Sequence, residues 1–385
     1  MQKVVQIIIE IILLPYIMVV AFLSRFKKKD IDIGLGPEPL INNVYHKKAL
    51  ELYNSNVETF VVSSYFITSD FDIDLSKKYD VRTVIGKLGI FLSLVDLAFK
   101  YKVLYFYFNG GPLGLTSKLI WYFEPFIYRI ANVKTVLMPY GGDVQDMTRC
   151  KNLYFKHVMS NDYPLHKQKR NLISKKIDLW TNHASHIISG CDWVDYMHAW
   201  DTLMIAHFSI DTDKLEDIES TVSNDMFKIF HAPNHKSIKG TSHLINAVKE
   251  LKDDGYNLEL IMRTKVSNEE IINTIRNVDI VADQFVVGWY AMFALEAMSM
   301  GKPVMCYLRD DLIELYTKAN LIKNDEIPII NTNILNIKET IMWAYENKEI
   351  LIKLGKQSKE YVKAHHSLDH IGKVFYNINE KLLEF

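Results

Sequence analysis

Cysteine is scarce. The 385 residues contain three, Cys150, Cys191 and Cys306, far apart and with no Cys-x-x-Cys pair. This excludes a disulfide framework and a zinc knuckle, and it suits a reducing cytoplasm. An excess of either charge is also missing. Lys and Arg total 45 against 46 Asp and Glu, for a formal net charge of -1, so nothing points to nucleic acid as a partner. There is no low-complexity segment and no short repeat. No Gly-x-Ser-x-Gly elbow offers a hydrolase nucleophile. Gly34-Leu35-Gly36 runs into Pro37, which argues against a dinucleotide fingerprint of the dehydrogenase type. His183 with His186, and His365-His366 with His370, lack carboxylate or cysteine partners at metal-site spacing. Asp70-Phe71-Asp72-Ile73-Asp74 holds two Asp-x-Asp patterns but follows an early strand. No metal and no resident cofactor is expected.

What is present is ordinary globular composition, 49% hydrophobic and 24% charged. A single core seldom grows past about 250–300 residues, so two domains are expected. Val4 to Leu23 is a nearly unbroken apolar run, interrupted by Glu10 and Pro15. At about 20 residues it has the length that crosses a hydrocarbon core. Arg25, Lys27, Lys28 and Lys29 follow, a cluster that would stay cytoplasmic. The run fits a spanning segment, a re-entrant or interfacial helix, or a buried core helix. Its length favours the first, and residues 1–30 are read as a membrane anchor.

Strands and helices then alternate. Strands are expected at Ile31–Gly36, Thr59–Tyr65, Val103–Phe108, Thr135–Met138, His186–Ser189 and Leu203–Ala206, with a helix at Ile41–Tyr53. The pattern pauses over the acidic stretch Asp211–Asp225. It restarts with strands at Phe227–His231, Leu258–Met262, Asp279–Ala282 and Pro303–Leu308, helices between them, and helices dominating to Phe385. Strands without polar alternation, separated by helices, indicate parallel sheets covered on both faces. The fold class expected is α/β, with one Rossmann-like domain over 31–210 and a second over 211–365. Ligands of such sheets bind at the carboxyl ends of the strands.

Two stretches carry chemistry. In Met292–Met300, Glu296 is the one acid of an apolar helix. A carboxylate there is costly to bury alone, and two ribose hydroxyls would suit it, as would a salt bridge or an exposed helix edge. In Phe230–Thr241, a strand leads through Asn234, His235, Lys236 and Lys239 to Gly240 and a helix start. Free N–H groups and lysines at that place favour a phosphate, although a solvated surface loop reads the same way. Arg263 ends the next strand, where it would reach a diphosphate or form a surface ion pair.

Lys239-Gly240 and Glu296-Ala297-Met298-Ser299-Met300-Gly301-Lys302-Pro303-Val304 resemble the donor half of GT-B-fold glycosyltransferases, in particular glycosyltransferase family 4. The resemblance covers about 150 residues of the C-terminal lobe and is weaker in the first lobe. It implies that Glu296 holds the donor ribose and Lys239 the diphosphate of a nucleotide sugar. Two positions depart from the pattern. Gly288 stands where the family often has a second Glu, and Asn234 stands where it has Arg. Asp283, His235, Lys236 and Arg263 are candidates to compensate, and the Gly288-Trp289-Tyr290 turn completes the donor side. Tyr140-Gly141-Gly142-Asp143 resembles the family's His-Gly-x-Asp loop, with Tyr140 in place of His. The resemblance implies that Asp143 faces the cleft and orients an acceptor hydroxyl or the donor sugar; capping a helix is its plainer reading. Gly34, Gly36, Asn109 and Gly110 shape the same cleft or serve as simple turns. Residues 366–385 are expected to pack back across the lobes. The activity implied is sugar transfer with retention of configuration and without metal, from a nucleotide-sugar donor to a lipid-linked glycan. A non-catalytic nucleotide-sugar-binding partner and a nucleotide-sugar epimerase are the alternatives.

Overall fold

A computed structural model describes residues 2–65, 68–80, 82–213 and 226–384. Most of the stretch over which the domain boundary was expected, residues 214–225, lies outside the described residues.

Two parallel sheets organise the chain. The first contains β1 (Ile31–Leu35), β2 (Val57–Val61), β3 (Ile73–Asp74), β4 (Tyr101–Phe106), β5 (Lys134–Leu137), β6 (His186–Ser189) and β7 (Thr202–Leu203), in the order β3-β2-β1-β4-β5-β6-β7. The second contains β8 (Phe227–His231), β9 (Leu258–Met262), β10 (Ile280–Ala282), β11 (Val304–Cys306) and β12 (Ile329–Asn331), in the order β12-β11-β10-β8-β9. Their ladders are parallel; β1, for example, sets Ile33 beside Val103 and Leu35 beside Tyr105. The central β4 shows why. Tyr101, Val103, Leu104, Tyr105 and Phe106 are all buried, so the strand has no solvent face and must be covered on both sides.

The two short strands β3 and β12 were not read from the sequence. The Asp70–Asp74 stretch forms the edge of the first sheet. Asp72 accepts from the Thr59 N–H at 2.7 Å and pairs with Lys47 at 2.6 Å, while Asp74 accepts from Ser64 and Ser76. These carboxylates therefore join strands and cap a turn. Helices dominate beyond Leu308 as expected, with β12 set among them and paired with β11 through Ile330 and Met305.

At the C-terminus, helix Lys348–His366 packs on helix Met292–Ser299 of the second sheet. Ser367 then caps helix Leu368–Leu383, which crosses to helix Ile41–Glu51 beside the first sheet. Its Asn379 accepts from the Tyr105 hydroxyl at 2.9 Å. A second tie is a buried ion pair. Arg309, after β11, grips Asp195, after β6, with both guanidinium nitrogens at 2.7 and 3.2 Å.

Helix Gln2–Ser24 lies against helices Val84–Lys100 and Glu124–Ile130 of the first lobe. It is the one helix among the described residues long and apolar enough to cross a membrane. Lys29, grouped with the basic cluster in sequence, is buried instead. Its ammonium donates to the carbonyls of Ala98 and Ala131 at 3.0 and 3.1 Å.

Candidate functional site

The carboxyl ends of the two sheets face one another across a cleft of about 800 Å³. One wall is the turn after β5, carrying Tyr140 and Gly141, with Asn109 from the turn after β4. The opposite wall holds Asn234, His235 and Lys239 after β8, and Tyr290 after β10. Residues predicted from both halves of the chain are thus brought together. Tyr163, the C-cap of helix Leu153–Asp162, reaches across to hydrogen-bond His235.

Asn234 also lines a smaller cleft of about 160 Å³, whose wall includes Arg263, Asn268, Met292 and Glu296. Glu296 is 4% exposed. Its one close partner is the Asn268 amide, donating at 2.6 Å, and no cation stands within salt-bridge distance among the described residues. Both alternatives raised for Glu296, the salt bridge and the exposed edge, are therefore corrected. Burial, with a further push from Asp283, raises its pKa to about 7. From the other lobe, Ile41 lines this cleft, and the half-buried Tyr45 lies near enough to feel the Glu296 charge.

The basic loop is built differently from a single helix start. Lys236–Lys239 forms one helical turn, Gly240 takes φ of 75°, and a new helix runs over Thr241–Asp253. A side chain at Gly240 would strain that left-handed backbone, so glycine is required for the break. His231 fixes the turn by bonding the Ala282 carbonyl at 2.7 Å and the Thr241 hydroxyl at 2.9 Å. Lys239 Nζ sits 2.5 Å from Asp283 Oδ1, and Asp283 Oδ2 accepts from the Ala291 N–H at 3.2 Å. Asp283 is therefore the counter-ion of Lys239 at the cleft. Lys236 opens onto a neighbouring cleft with Thr264 and Lys265.

Several expected residues play another part. Asp143 does not offer its carboxylate to the cleft. It is 1% exposed and accepts from the N–H groups of Phe108, Tyr140 and Gly141 at 2.9, 3.0 and 2.9 Å. It holds the turn that presents Tyr140, whose hydroxyl accepts from Asn109 at 3.0 Å. Gly34, Gly36 and Gly110 are packing positions. A Cβ would meet the Leu104 side chain at Gly34, the Phe60 carbonyl at Gly36, and Glu124 with Trp180 at Gly110. Gly288 lies against Arg309, and Trp289 is buried on Tyr290 and Tyr316, so neither lines the cleft.

Residues that sequence reasoning missed lie beneath the first-lobe wall. Lys176 lines the cleft and donates to the carbonyls of Asn109 and Gly114, each at 2.9 Å. Glu124 accepts from the N–H groups of Gly111, Leu113 and Gly114, all at 3.1 Å. Glu38, in the loop after β1, is buried with both carboxylate oxygens lacking a well-formed hydrogen bond. Burial, then the nearby Asp143 charge, raises its pKa to about 8. Asn109 and Lys176 are close enough to oppose that rise. These three residues come from helix His166–His183, helix Glu124–Ile130 and one loop, and share no spacing. Glu38, behind Gly36-Pro37, was the nearest to a visible signal.

Two parallel α/β sheets facing a cleft, with the last helix returning to the first lobe, define the GT-B fold. Solved structures agree. Sucrose-phosphate synthase from Thermosynechococcus elongatus superposes with a TM-score of 0.59 at 11% identity, over 92% of this chain and 100% of that one. MnaA of S. aureus, in a structure with UDP, superposes with a TM-score of 0.50 at 12% identity, over 92% of this chain and 97% of that one. No protein-family model and no curated protein sequence matches the chain.

Proposed function

We propose that the chain is a glycosyltransferase taking a hexose from a nucleotide-sugar donor. The observation that carries this is Glu296: a buried acid held by one amide, on the wall of a cleft that continues through Asn234 to Lys239. A ribose diol supplies the two donors that this carboxylate lacks. The diphosphate then extends toward Lys239 and His235, and the sugar enters the inter-lobe cleft opposite Tyr140 and Asn109. The UDP carried by MnaA in its structure supports a nucleotide ligand for a fold of this kind.

In the reaction, the bond from the sugar's anomeric carbon to the β-phosphate oxygen breaks, and the diphosphate leaves with the electron pair. An acceptor hydroxyl attacks on the same face, which retains configuration, and its proton passes to the departing phosphate oxygen. Lys239 neutralises the charge that builds there, so this reading requires no metal. Asp143 is a positioning residue, since it shapes the Tyr140 turn from beneath. The acceptor is read as a lipid-linked glycan of a surface polysaccharide or glycoconjugate. Support for that comes from the apolar N-terminal helix, which would hold the first lobe at the cytoplasmic side of a membrane.

The test is incubation of membranes containing the full chain with a panel of nucleotide sugars and lipid-linked acceptors. Transfer that Glu296→Ala abolishes is the expected result; transfer indifferent to that change would remove the assignment. Gly288 and Asn234 depart from the family pattern, which favours one second reading, a nucleotide-sugar-binding partner without turnover. Donor binding with no transfer or hydrolysis under any acceptor would establish it.

A further inference from the structure

The N-terminal helix is clamped to the first lobe by its single acid. Glu10 is buried and accepts from the Ser117 hydroxyl at 2.8 Å, the Lys118 N–H at 3.0 Å and the Leu119 N–H at 3.0 Å. Gln6 donates to Glu10 at 2.8 Å and to the Thr116 carbonyl at 2.9 Å. Ile17, Ala21 and Ser24 are buried on the same helical face. Beyond the helix, Lys29 is bonded to the carbonyls of Ala98 and Ala131. The attachments run from Gln6 to Lys29. At about 1.5 Å per residue, that is most of the helix's length lying along the lobe.

The opposite face is uncovered and wholly apolar. Val5, Ile8, Ile12, Tyr16, Val19 and Leu23 follow helical spacing and are between 46% and 68% exposed. Leu119, Tyr122 and Phe123, in the segment that Glu10 holds, add exposed apolar surface beside the helix. Arg25, Lys27 and Lys28 at the helix end, and Lys118 alongside, are exposed. An apolar stripe with flanking cations complements an anionic lipid surface.

We infer that this helix docks the first lobe on an anionic bilayer while lying in the membrane plane, and that it does not cross. This rests on the membrane association proposed above. Crossing would require Glu10 to leave its hydrogen bonds from Ser117, Lys118 and Leu119 and enter hydrocarbon as a bare acid, or the lobe to follow it in. Lying in the plane keeps those bonds and puts Ile8, Ile12 and Val19 among the acyl chains.

The experiment uses the full chain with a protease-cleavable N-terminal tag, added to preformed vesicles of phosphatidylcholine with or without phosphatidylglycerol and separated by flotation. The expected result is flotation that favours anionic vesicles. Each of Arg25→Gln, Lys27→Gln and Lys28→Gln should weaken it roughly fivefold. External protease should remove the tag completely from bound chain. The double change Ile8→Glu with Ile12→Glu, at exposed positions, should abolish flotation while leaving thermal unfolding unchanged. A tag protected on the vesicle-bound chain overturns the in-plane docking and leaves membrane association standing, as does flotation that survives the double change through another surface. No flotation at any composition overturns membrane association itself, and the docking with it.

Discussion

Glu296 makes a prediction with two opposite signs. Its pKa is raised from 4.5 to about 7 because burial disfavours the charge, and Asn268 alone opposes this. A raised acid pKa favours folding below the unfolded value, and that contribution is lost as pH climbs through the folded value. The window is therefore pH 4.5 to 7, and the charged form costs about 3 kcal/mol above it. Glu296→Gln, which keeps the shape without the charge, should raise Tm at pH 8 and leave it near the wild-type value at pH 4.5. Nucleotide binding should move the other way. Hydrogen bonds to a charged group contribute about 1.5–3 kcal/mol each. Losing two ribose bonds to the carboxylate should weaken a nucleoside diphosphate roughly a hundredfold or more in Glu296→Ala. At pH 7 about half of the free protein carries the proton, so binding as carboxylate should release roughly half a proton per nucleotide. Calorimetric titration in two buffers of different ionisation heat measures that release, and Glu296→Gln should show none. A Gln variant that loses stability at pH 8 while binding nucleotide with unchanged affinity and proton release would make Glu296 a structural acid and refute the reasoning.

The remaining predictions concern the rest of the cleft. Lys239→Ala should weaken a nucleoside diphosphate by roughly ten- to a hundredfold and a nucleoside hardly at all, as read by equilibrium dialysis of both, because the lost contact is to phosphate. Glu38, raised from 4.5 to about 8, makes wild-type stability fall as pH rises through that window. Melts from pH 4.5 to 9 should show Glu38→Gln diverging upward from wild type by up to about 5 kcal/mol at the alkaline end. Arg309→Ala strands the buried Asp195, and urea unfolding should show a loss of about 3–5 kcal/mol.

The order of strands and helices was legible because it is written in buried runs. His186–Ser189, Phe227–His231 and Leu258–Met262 have the bounds expected from composition alone. Strands of two or three residues, β3 and β12, carry too few side chains to stand out, and their pairing comes from neighbours far along the chain. The helix Val84–Lys100 was not read from the sequence at all. The acid in the apolar helix was visible because its surroundings are local in sequence. Its partner Asn268, the first residue of the helix after β9, and Tyr45, in the other lobe, were not visible, since only the fold brings them near. Asp143 was misjudged for a related reason. A motif fixes the loop but not the direction of the carboxylate, and three backbone N–H groups claim this one.

The two walls of the cleft differ in electrostatic character. Beneath the first-lobe wall, Glu38, Glu124, Asp143 and Asp192 are all buried, and burial raises each pKa, to about 8, 7, 6 and 7. Lys176 lies among the first three and is itself pushed down by burial. Four full negative charges there would repel a diphosphate across the cleft. At pH 7 Glu38 is largely protonated and Glu124 and Asp192 about half so, which lowers that repulsion and leaves Glu38 able to donate a hydrogen bond. The facing wall offers Lys239 with one counter-ion, Asp283, and the imidazole of His235. A phosphate arriving at Lys239 would compete with a single carboxylate that the Ala291 N–H also holds. A cation thus stands on the wall where a diphosphate would lie, and negative charge is reduced on the wall where sugar hydroxyls would lie. On this reasoning Asp283→Asn, which keeps the bond to Ala291 but frees Lys239, should tighten nucleoside diphosphate binding. If binding weakened instead, Asp283 would be aiming Lys239 more than competing for it.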